Sequence, residues 1–407
     1  MFNWDKRVTT LFLIVLVNFL GGTIVLPTLP LYSSHHFDAS PEMISVLLAS
    51  YFLAQFLAAP VMGRLSDRVG RLPVLIVSQL GTFISFVMMA GAQSLWVLFA
   101  ARVLDGITGG NVIVAQAYMT DITPRERRTQ ALGLIFAAFG LGYIIGPAVG
   151  GLLAAAFDDR APFYVGALIS LGTVLLTYFT LDESLTPEER MARRAVGHSR
   201  MSPRDIIANV PLVLILVIGF GAQFSIALFQ STIALFGEAV LFKGYTQQSV
   251  NLGVGLMLTG IGIGQFITQI ALIRPMVARF GERRLVVIGA VLRAISMFSV
   301  AVIASPVLVG AGSLTLLAVA SGIMMPSLQS LATTSVSEDI SGGVLGIYGS
   351  ATSLGVIVGT FLGGQIFAVT PNLPYIVAGS VLLITVIPAL ILLRNGSTPV
   401  AGGAAAA

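Results

Sequence analysis

Gly142-Tyr-Ile-Ile-Gly146-Pro147-Ala-Val-Gly150-Gly151 is the stretch that decides the fold, because it sets small residues and one proline along a long apolar helix. Glycines four residues apart lie on one helix face, where a neighbouring backbone can approach closely. Helices in lipid associate in this way, since lipid removes the hydrophobic force between them. Pro147 removes one backbone donor and is tolerated in a membrane helix as a kink or bend.

The same pattern recurs without its proline as Gly355-Val-Ile-Val-Gly359-Thr-Phe-Leu-Gly363-Gly364. Each of the four glycines is displaced by 213 residues, which is about half of the 407-residue chain. The sequence therefore predicts two copies of one unit.

The composition excludes an ordinary soluble domain. Hydrophobic residues make up 56% of the chain and charged residues 10%, whereas a soluble domain carries roughly 25% charged residues. The mean hydropathy is +0.93. Apolar runs of about 20 residues, long enough to cross ~30 Å of hydrocarbon, recur along the chain. They predict an all-α protein with 12 membrane spans, near 8–31, 43–63, 73–93, 95–120, 130–156, 162–181, 211–236, 250–273, 285–304, 307–331, 343–368 and 373–393.

The basic residues predict the orientation of these spans. If Lys6 and Arg7 are cytoplasmic, 18 of the 22 cations fall on that side; Arg160 and Lys243 fall outside, and Arg102 and Arg293 lie within spans. This bias places both termini in the cytoplasm. It also explains the net charge of +4 without a nucleic-acid partner.

The domain organisation follows from the longest hydrophilic segment, which begins at Asp182 and lies midway along the chain. We expect an N-terminal six-helix half at 1–181, a cytoplasmic linker at 182–210, a C-terminal half at 211–394 and a tail at 395–407. Every outside loop is short, so we expect no soluble catalytic domain and no enzyme activity.

Between spans 2 and 3 lies Gly63-Arg-Leu-Ser-Asp67-Arg68-Val-Gly70-Arg71. Its glycines permit a tight turn, and Asp67 could accept bonds from a helix start or pair with an arginine of the same half. A plain charged loop is the alternative. A degraded second copy at Arg274–Arg284, after span 8, favours a gating latch.

Three motifs resemble the drug:proton antiporter branch of the major facilitator superfamily, and most closely its tetracycline and multidrug efflux transporters. They are the 63–71 loop, the span-4 stretch Leu98-Phe-Ala-Ala-Arg102-Val-Leu-Asp105-Gly106, and the span-5 stretch 142–151. The resemblance implies two pseudo-symmetric halves that rock about a central site. It also implies the bacterial cytoplasmic (inner) membrane, with a hydrophobic small molecule, protons and lipid as partners, and a monomer.

Charges inside spans are costly unless they are paired or face water, so they mark function. Arg102 and Asp105 are three residues apart on one helix and share a face. Rearrangement of that pair during rocking could change the proton affinity of Asp105. A static ion pair that holds the N-terminal half together is an equal alternative.

Two positions depart from the tetracycline-efflux pattern, which carries an acidic residue where this chain has Arg293 and an aspartate where it has Asn18. Coupling at those positions must be absent here or moved to Asp105. Arg293 could attract an anionic or zwitterionic substrate group. Alternatively, it could cap a carbonyl or pair with Asp105.

Polar and aromatic residues in mid-span are candidates for the lining of a large, weakly polar substrate cavity. They are Asn18, Gln55, Asn111, Gln116, Phe220, Gln223, Phe224, Gln230, Gln265, Gln269, Gln329 and Tyr348. We expect no cofactor: His35-His36 makes a poor metal site without a third ligand, and there is no Walker-type loop for ATP. The sequence thus predicts proton-coupled export of hydrophobic molecules, with a lipid or anionic-solute carrier as the alternative.

Overall fold

The computed structural model describes residues 6–109, 111–124, 127–186, 188, 203–335 and 341–394. Within these ranges the regular elements are helices, and 12 of them are long and apolar enough to cross a membrane, as predicted. Spans 1 to 12 cover Arg7–Phe37, Pro41–Val69, Arg71–Ala90, Leu95–Ile122, Gly133–Ala156, Ala161–Thr180, Val210–Leu241, Gln247–Phe280, Glu282–Val302, Pro306–Thr334, Val344–Val369 and Leu373–Arg394. The predicted tail at 395–407 and most of the predicted linker lie outside the described residues.

Several spans are interrupted helices. Span 4 consists of Leu95–Thr108 and Asn111–Ile122. Span 7 ends in the π-helical segment Gly237–Leu241, and similar segments lie within spans 8 and 10, at Thr268–Leu272 and Val309–Leu314. Span 5 belongs to one continuous helix, Arg128–Ala156, which contains Pro147. The short helix Pro203–Ala208 precedes span 7.

The two halves repeat one packing arrangement. Span 1 packs on span 5 as span 7 packs on span 11, and span 3 packs on span 6 as span 9 packs on span 12. Spans 2 and 4 correspond in the same way to spans 8 and 10. The displaced glycine pattern is therefore the trace of a structural repeat.

The two ends of the molecule differ in how the halves meet. We call the end with residues 69–71, 180–182 and 280–282 the terminal face, because the first and last described residues lie there. The end with 37–41, 156–161 and 241–247 is the opposite face. Towards the opposite face, one buried cluster joins both halves, with Leu29 and Tyr32 packed together with Leu228 and Phe236.

Towards the terminal face, each half has its own buried cluster. Leu11 and Tyr118 belong to the N-terminal cluster, and Leu212 and Leu392 to the C-terminal cluster. Among the described residues, the apolar core is thus continuous across the halves at one face and divided at the other.

Candidate functional site

The Arg102–Asp105 pair lies buried in span 4, as its spacing predicts. Arg102 Nη1 donates to Asp105 Oδ2 at 2.9 Å, and the two residues are 6% and 5% exposed. The Arg102 guanidinium carbon lies 4.1 Å from the centre of the Tyr51 ring, and the Thr82 hydroxyl lies beside Asp105. Burial makes each charge dependent on the other, because an unpaired charge here would be costly.

A close crossing of spans 2 and 4 holds this pair in place. A Cβ at Gly106 would lie 2.4 Å from the carbonyl oxygen of Tyr51, so only glycine fits there. Gln55 Nε2 donates to the Gly109 carbonyl at 3.0 Å and to the Tyr51 hydroxyl at 3.2 Å. Gln55 therefore contributes to the surroundings of the ion pair, whereas its mid-span position had predicted a place in the cavity lining.

Arg293 is 1% exposed in span 9 and has no carboxylate within ion-pair distance among the described residues. Its Nη2 donates to the Ala222 carbonyl at 2.8 Å, which matches the carbonyl-capping alternative. Its Nη1 lies 3.9 Å from the sulfurs of Met324 and Met325. Its Nε and the Tyr348 hydroxyl are buried without a hydrogen-bond partner among the described groups. Such a guanidinium keeps unused donors for an anionic group.

A small, partly open cavity of about 20 Å³, room for about one water molecule, lies within the N-terminal half, in the part nearer the terminal face. It is much smaller than the large cavity predicted from the sequence. Two polar side chains, Asn18 of span 1 and Gln79 of span 3, line it. The rest of its lining is apolar: Ile14, Val15, Phe19, Leu75, Val112, Ala115 and Phe139.

Gln79 is 1% exposed, and both its amide nitrogen and its amide oxygen lack a partner among the described groups. A buried amide without partners is costly, so Gln79 presents a donor and an acceptor for a bound polar group. Gln79 was not among the residues predicted from the sequence; the available signal was an amide inside the apolar run of span 3.

The remaining lining candidates do not gather in one place. Gln230 lies beside the Tyr143 hydroxyl of the other half, and Phe220 and Phe224 stack at 6.3 Å between ring centres. Gln116, Gln223 and Gln265 are half-buried, and Gln269 and Gln329 are exposed. The Asn111 side chain lies outside the described residues.

The predicted 63–71 loop is almost entirely helical: residues 63–69 end span 2, Arg71 begins span 3, and only Gly70 lies between the helices. The segment forms an ion-pair network within the N-terminal half. Arg71 donates through Nη2 to Asp67 Oδ1 at 2.7 Å and through Nε to Asp121 Oδ2 at 3.1 Å. Asp67 thus pairs with an arginine of its own half, one of the two expected arrangements. Gly63 and the exposed Arg68 lie in the last turns of span 2, before this network.

The start of span 3 is capped from a distant part of the chain. Glu183, just after span 6, accepts bonds from the backbone nitrogens of Arg71 and Leu72 at 2.9 and 3.2 Å. Gly70 joins spans 2 and 3 at φ +120°, and Gly281 joins spans 8 and 9 at φ +75°. Both conformations favour glycine, so the degraded second copy keeps the turn of the first.

The glycine motif serves two contacts. Gly142, Gly146 and Gly150 face span 1, where a Cβ on Gly146 would overlap Thr23 Oγ1. Gly151 faces the other half, and its added Cβ would lie 2.6 Å from the Asn251 carbonyl of span 8. The carbonyl of Pro147 lies against Gly255, which also belongs to span 8.

Twelve spans in two repeated halves, with buried charges and a small amide-bearing cavity inside them, define an integral membrane protein of the transporter type. The sequence pattern of the Major Facilitator Superfamily matches residues 11–252 and 239–406. The chain therefore belongs to the major facilitator superfamily.

Individual relatives confirm the resemblance to the drug-efflux branch. The chain is 34% identical over 391 residues to the tetracycline resistance protein, class C, of Escherichia coli, covering 92% of this chain and 94% of that protein. It is 28% identical over 390 residues to multidrug resistance protein 2 of Bacillus subtilis (strain 168), covering 92% and 93%.

The fold also matches a solved structure of a bacterial homologue of the human lysosomal transporter Spinster, in an inward-facing and occupied conformation. The TM-score is 0.79 at 14% identity, covering 95% of this chain and 96% of that chain. At this identity the likeness concerns the fold alone.

Proposed function

We propose that this protein exports hydrophobic or amphiphilic small molecules by alternating access, in exchange for protons. Its similarity to tetracycline and multidrug resistance proteins supports this substrate class. The buried Arg102–Asp105 pair carries the proton part of the proposal, because Asp105 is a carboxylate placed deep within a span.

The orientation in the proposal follows the basic residues. Arg64, Arg68, Arg279 and Arg284 lie near the terminal face, which the positive-inside rule assigns to the cytoplasm. The protein would then lie in the bacterial cytoplasmic membrane with both termini inside. Since the halves are joined at the opposite face, the described conformation would receive substrate from the cytoplasm or the inner leaflet.

The cavity that contains Asn18 and Gln79 is the proposed substrate subsite. At about 20 Å³, and with two neutral amides in a mostly apolar lining, it suits a single amide, hydroxyl or keto group of an amphiphile. Asp105 would be protonated after substrate release outside, and the return to the cytoplasm-facing state would follow. The 63–71 network would set the equilibrium between the closed and open states of the gate.

We further propose that the protein works as a monomer, without nucleic acid or enzymatic turnover.

Uphill transport in proteoliposomes with an imposed pH gradient tests this function. We expect gradient-dependent accumulation of tetracycline or a lipophilic dye, its loss in Asp105→Asn, and its retention in Asp182→Asn, a change of an exposed carboxylate. Gradient-driven accumulation that persists in Asp105→Asn would contradict coupling at this pair.

A lipid or anionic-solute carrier is the second candidate, supported by Arg293 and its unused Nε donor. Under that function a fluorescent lysolipid would move irrespective of the pH gradient, and Arg293→Ala would selectively impair anionic substrates. Equal loss of cationic dye transport in Arg293→Ala would assign Arg293 a structural role.

A further inference from the structure

His35 bridges the two halves at the opposite face, away from the ion pair and the cavity. Its Nδ1 lies 3.1 Å from Asp159 Oδ2 in the loop between spans 5 and 6. Its Nε2 lies 2.8 Å from Glu238 Oε1 at the end of span 7. One imidazole at the end of span 1 therefore holds a carboxylate from each half.

If both carboxylates are ionised, the geometry requires His35 to be doubly protonated. Ionised carboxylates only accept hydrogen bonds, and a neutral imidazole has a single N–H to donate. Donation to both Asp159 and Glu238 requires both ring nitrogens to carry hydrogen. The bridge is therefore that of an imidazolium, and the His35 side chain remains 24% exposed, within reach of solvent protons.

Asp159 forms a second bridge between the halves. Asn251 of span 8 donates through Nδ2 to Asp159 Oδ1 at 2.9 Å. Burial opposes ionisation of Asp159, but the hydrogen bonds from His35 and Asn251 outweigh it and hold the pKa of Asp159 below its usual range. Asp159 thus stays anionic well into acid conditions.

These polar bridges lie where the halves must separate if the opposite face opens. Gly151 meets the Asn251 backbone at the same crossing. A small buried cluster of Leu31, Ala234, Val250 and Val254 also joins span 1 to spans 7 and 8. Rocking of the halves would remove Glu238 and Asn251 from His35 and Asp159 together.

We propose that His35 is a gating residue that keeps the opposite face closed when a proton from that side is bound. This inference rests on the proposed alternating access. Protonation favours the closed state, so closure is complete at low pH and weakens as rising pH removes the proton. At a pH low enough to protonate Asp159, the bridge would weaken again.

The gating proton is distinct from a transported one. In the closed state His35 remains open to the side from which its proton came. That proton therefore determines when the gate closes but supplies no energy for uphill transport.

Asp159 and Glu238 are the charged groups in contact with His35. Other titratable or charged groups at this face include Tyr32, His36, Asp38, Glu42, Asp158, Arg160, Tyr164, Lys243 and Tyr245.

Distance measurements between spin labels test the gate directly. The chain has no cysteine, so Phe157→Cys and Tyr245→Cys place one label on each half at side chains that are 77% and 62% exposed. In lipid nanodiscs between about pH 5 and about pH 9, around the usual histidine range, the short-distance population should fall as pH rises. A single proton limits the change to about tenfold in the closed-to-open ratio per pH unit.

Three variants decide the role of His35. His35→Gln should remove the pH dependence, His35→Lys should keep the closed population at high pH, and His36→Gln should respond as the parent does. An unchanged pH response in His35→Gln, or none in the parent, would overturn the proposal. Drug transport in proteoliposomes is measured separately. If the protein exports drug but the distance between the labels does not depend on pH, the gate alone is rejected. If the distance depends on pH but no drug is exported, the export function alone is rejected.

Discussion

At the scale of single residues, the buried charged and amide side chains of the described spans differ in how they are partnered. Asp105 neutralises Arg102 at 2.9 Å, whereas Arg293 rests on one carbonyl and two sulfurs. Gln79 has no partner among the described groups. Because buried polar groups are costly without partners, the last two are the positions at which a ligand would gain most.

Asp105→Asn should abolish gradient-driven accumulation while substrate binding persists. Removing one partner of a buried pair leaves the other charge uncompensated, at a cost of roughly 3–5 kcal/mol. The double variant Arg102→Gln with Asp105→Asn should therefore regain thermal stability without regaining coupling. Uphill transport by the double variant would show that the pair is structural only.

Gln79→Leu should weaken binding of a carboxamide-bearing drug such as tetracycline by about 2- to 13-fold, since one hydrogen bond contributes about 0.5–1.5 kcal/mol. Fluorescence titration of the purified protein measures this. Binding of a permanently cationic dye should change little, and Gln329→Leu, at an exposed position, should leave both affinities unchanged. Equal weakening of drug and dye would argue against amide recognition.

At the scale of elements, glycine contacts and helix caps determine which helices meet. The glycine stripe of span 5 faces span 1, and one further residue, Gly151, turns towards the other half. The network at Arg71 ties the start of span 3 to the end of span 4 through Asp121, and to the segment just after span 6 through Glu183.

Gly151→Val should open the opposite face. Its Cβ would lie 2.6 Å from the Asn251 carbonyl and 3.0 Å from the Gly255 Cα, so spans 5 and 8 must separate. Overpacking costs about 1–3 kcal/mol, which would shift the closed-to-open ratio by about 5- to 150-fold. The labels at positions 157 and 245 report this shift. Gly172→Val is the control, because nothing lies within 4 Å of its added Cβ.

Glu183→Gln should lower the melting temperature by a few degrees. Its carboxylate accepts two backbone bonds at the start of span 3, and loss of such a cap costs about 0.5–2 kcal/mol. Thermal unfolding in detergent measures the change. The neighbouring exposed Asp182→Asn should have no such effect; equal shifts in both would mean that general charge, not capping, is responsible.

At the scale of the whole molecule, the two halves share a core at the opposite face and have separate cores at the terminal face. A transporter in this arrangement opens towards the terminal face. The side of the membrane that this face contacts therefore decides whether the conformation receives or releases substrate.

Single cysteines should report the orientation in intact bacterial cells. Tyr245→Cys, at the opposite face and 62% exposed, should react with an impermeant maleimide added outside. Ile207→Cys, before span 7 and 73% exposed, should react only in inverted vesicles. Both changes replace an uncharged residue, so neither alters the charge bias. Labelling with the reverse sidedness would refute cytoplasmic termini.

The amino-acid sequence by itself determined the number of spans, the internal repeat and the family resemblance. These features are local or periodic. An apolar run of sufficient length must form a helix in lipid, because only then are its backbone groups hydrogen-bonded. Gly142, Gly146 and Gly150 indicate a close helix crossing, whichever helix is the partner. The expected departures at Asn18 and Arg293 were also visible in the sequence alone.

Only the tertiary structure decided which groups meet across long separations. His35 contacts Asp159 and Glu238, which are 124 and 203 residues away. Gln79 and Asn18 line the same cavity. No periodicity records such pairs, because each side chain occupies an ordinary position on its own helix. Their partners follow from how the helices and the two halves pack, and that packing joins the halves at one face and leaves their cores separate at the other.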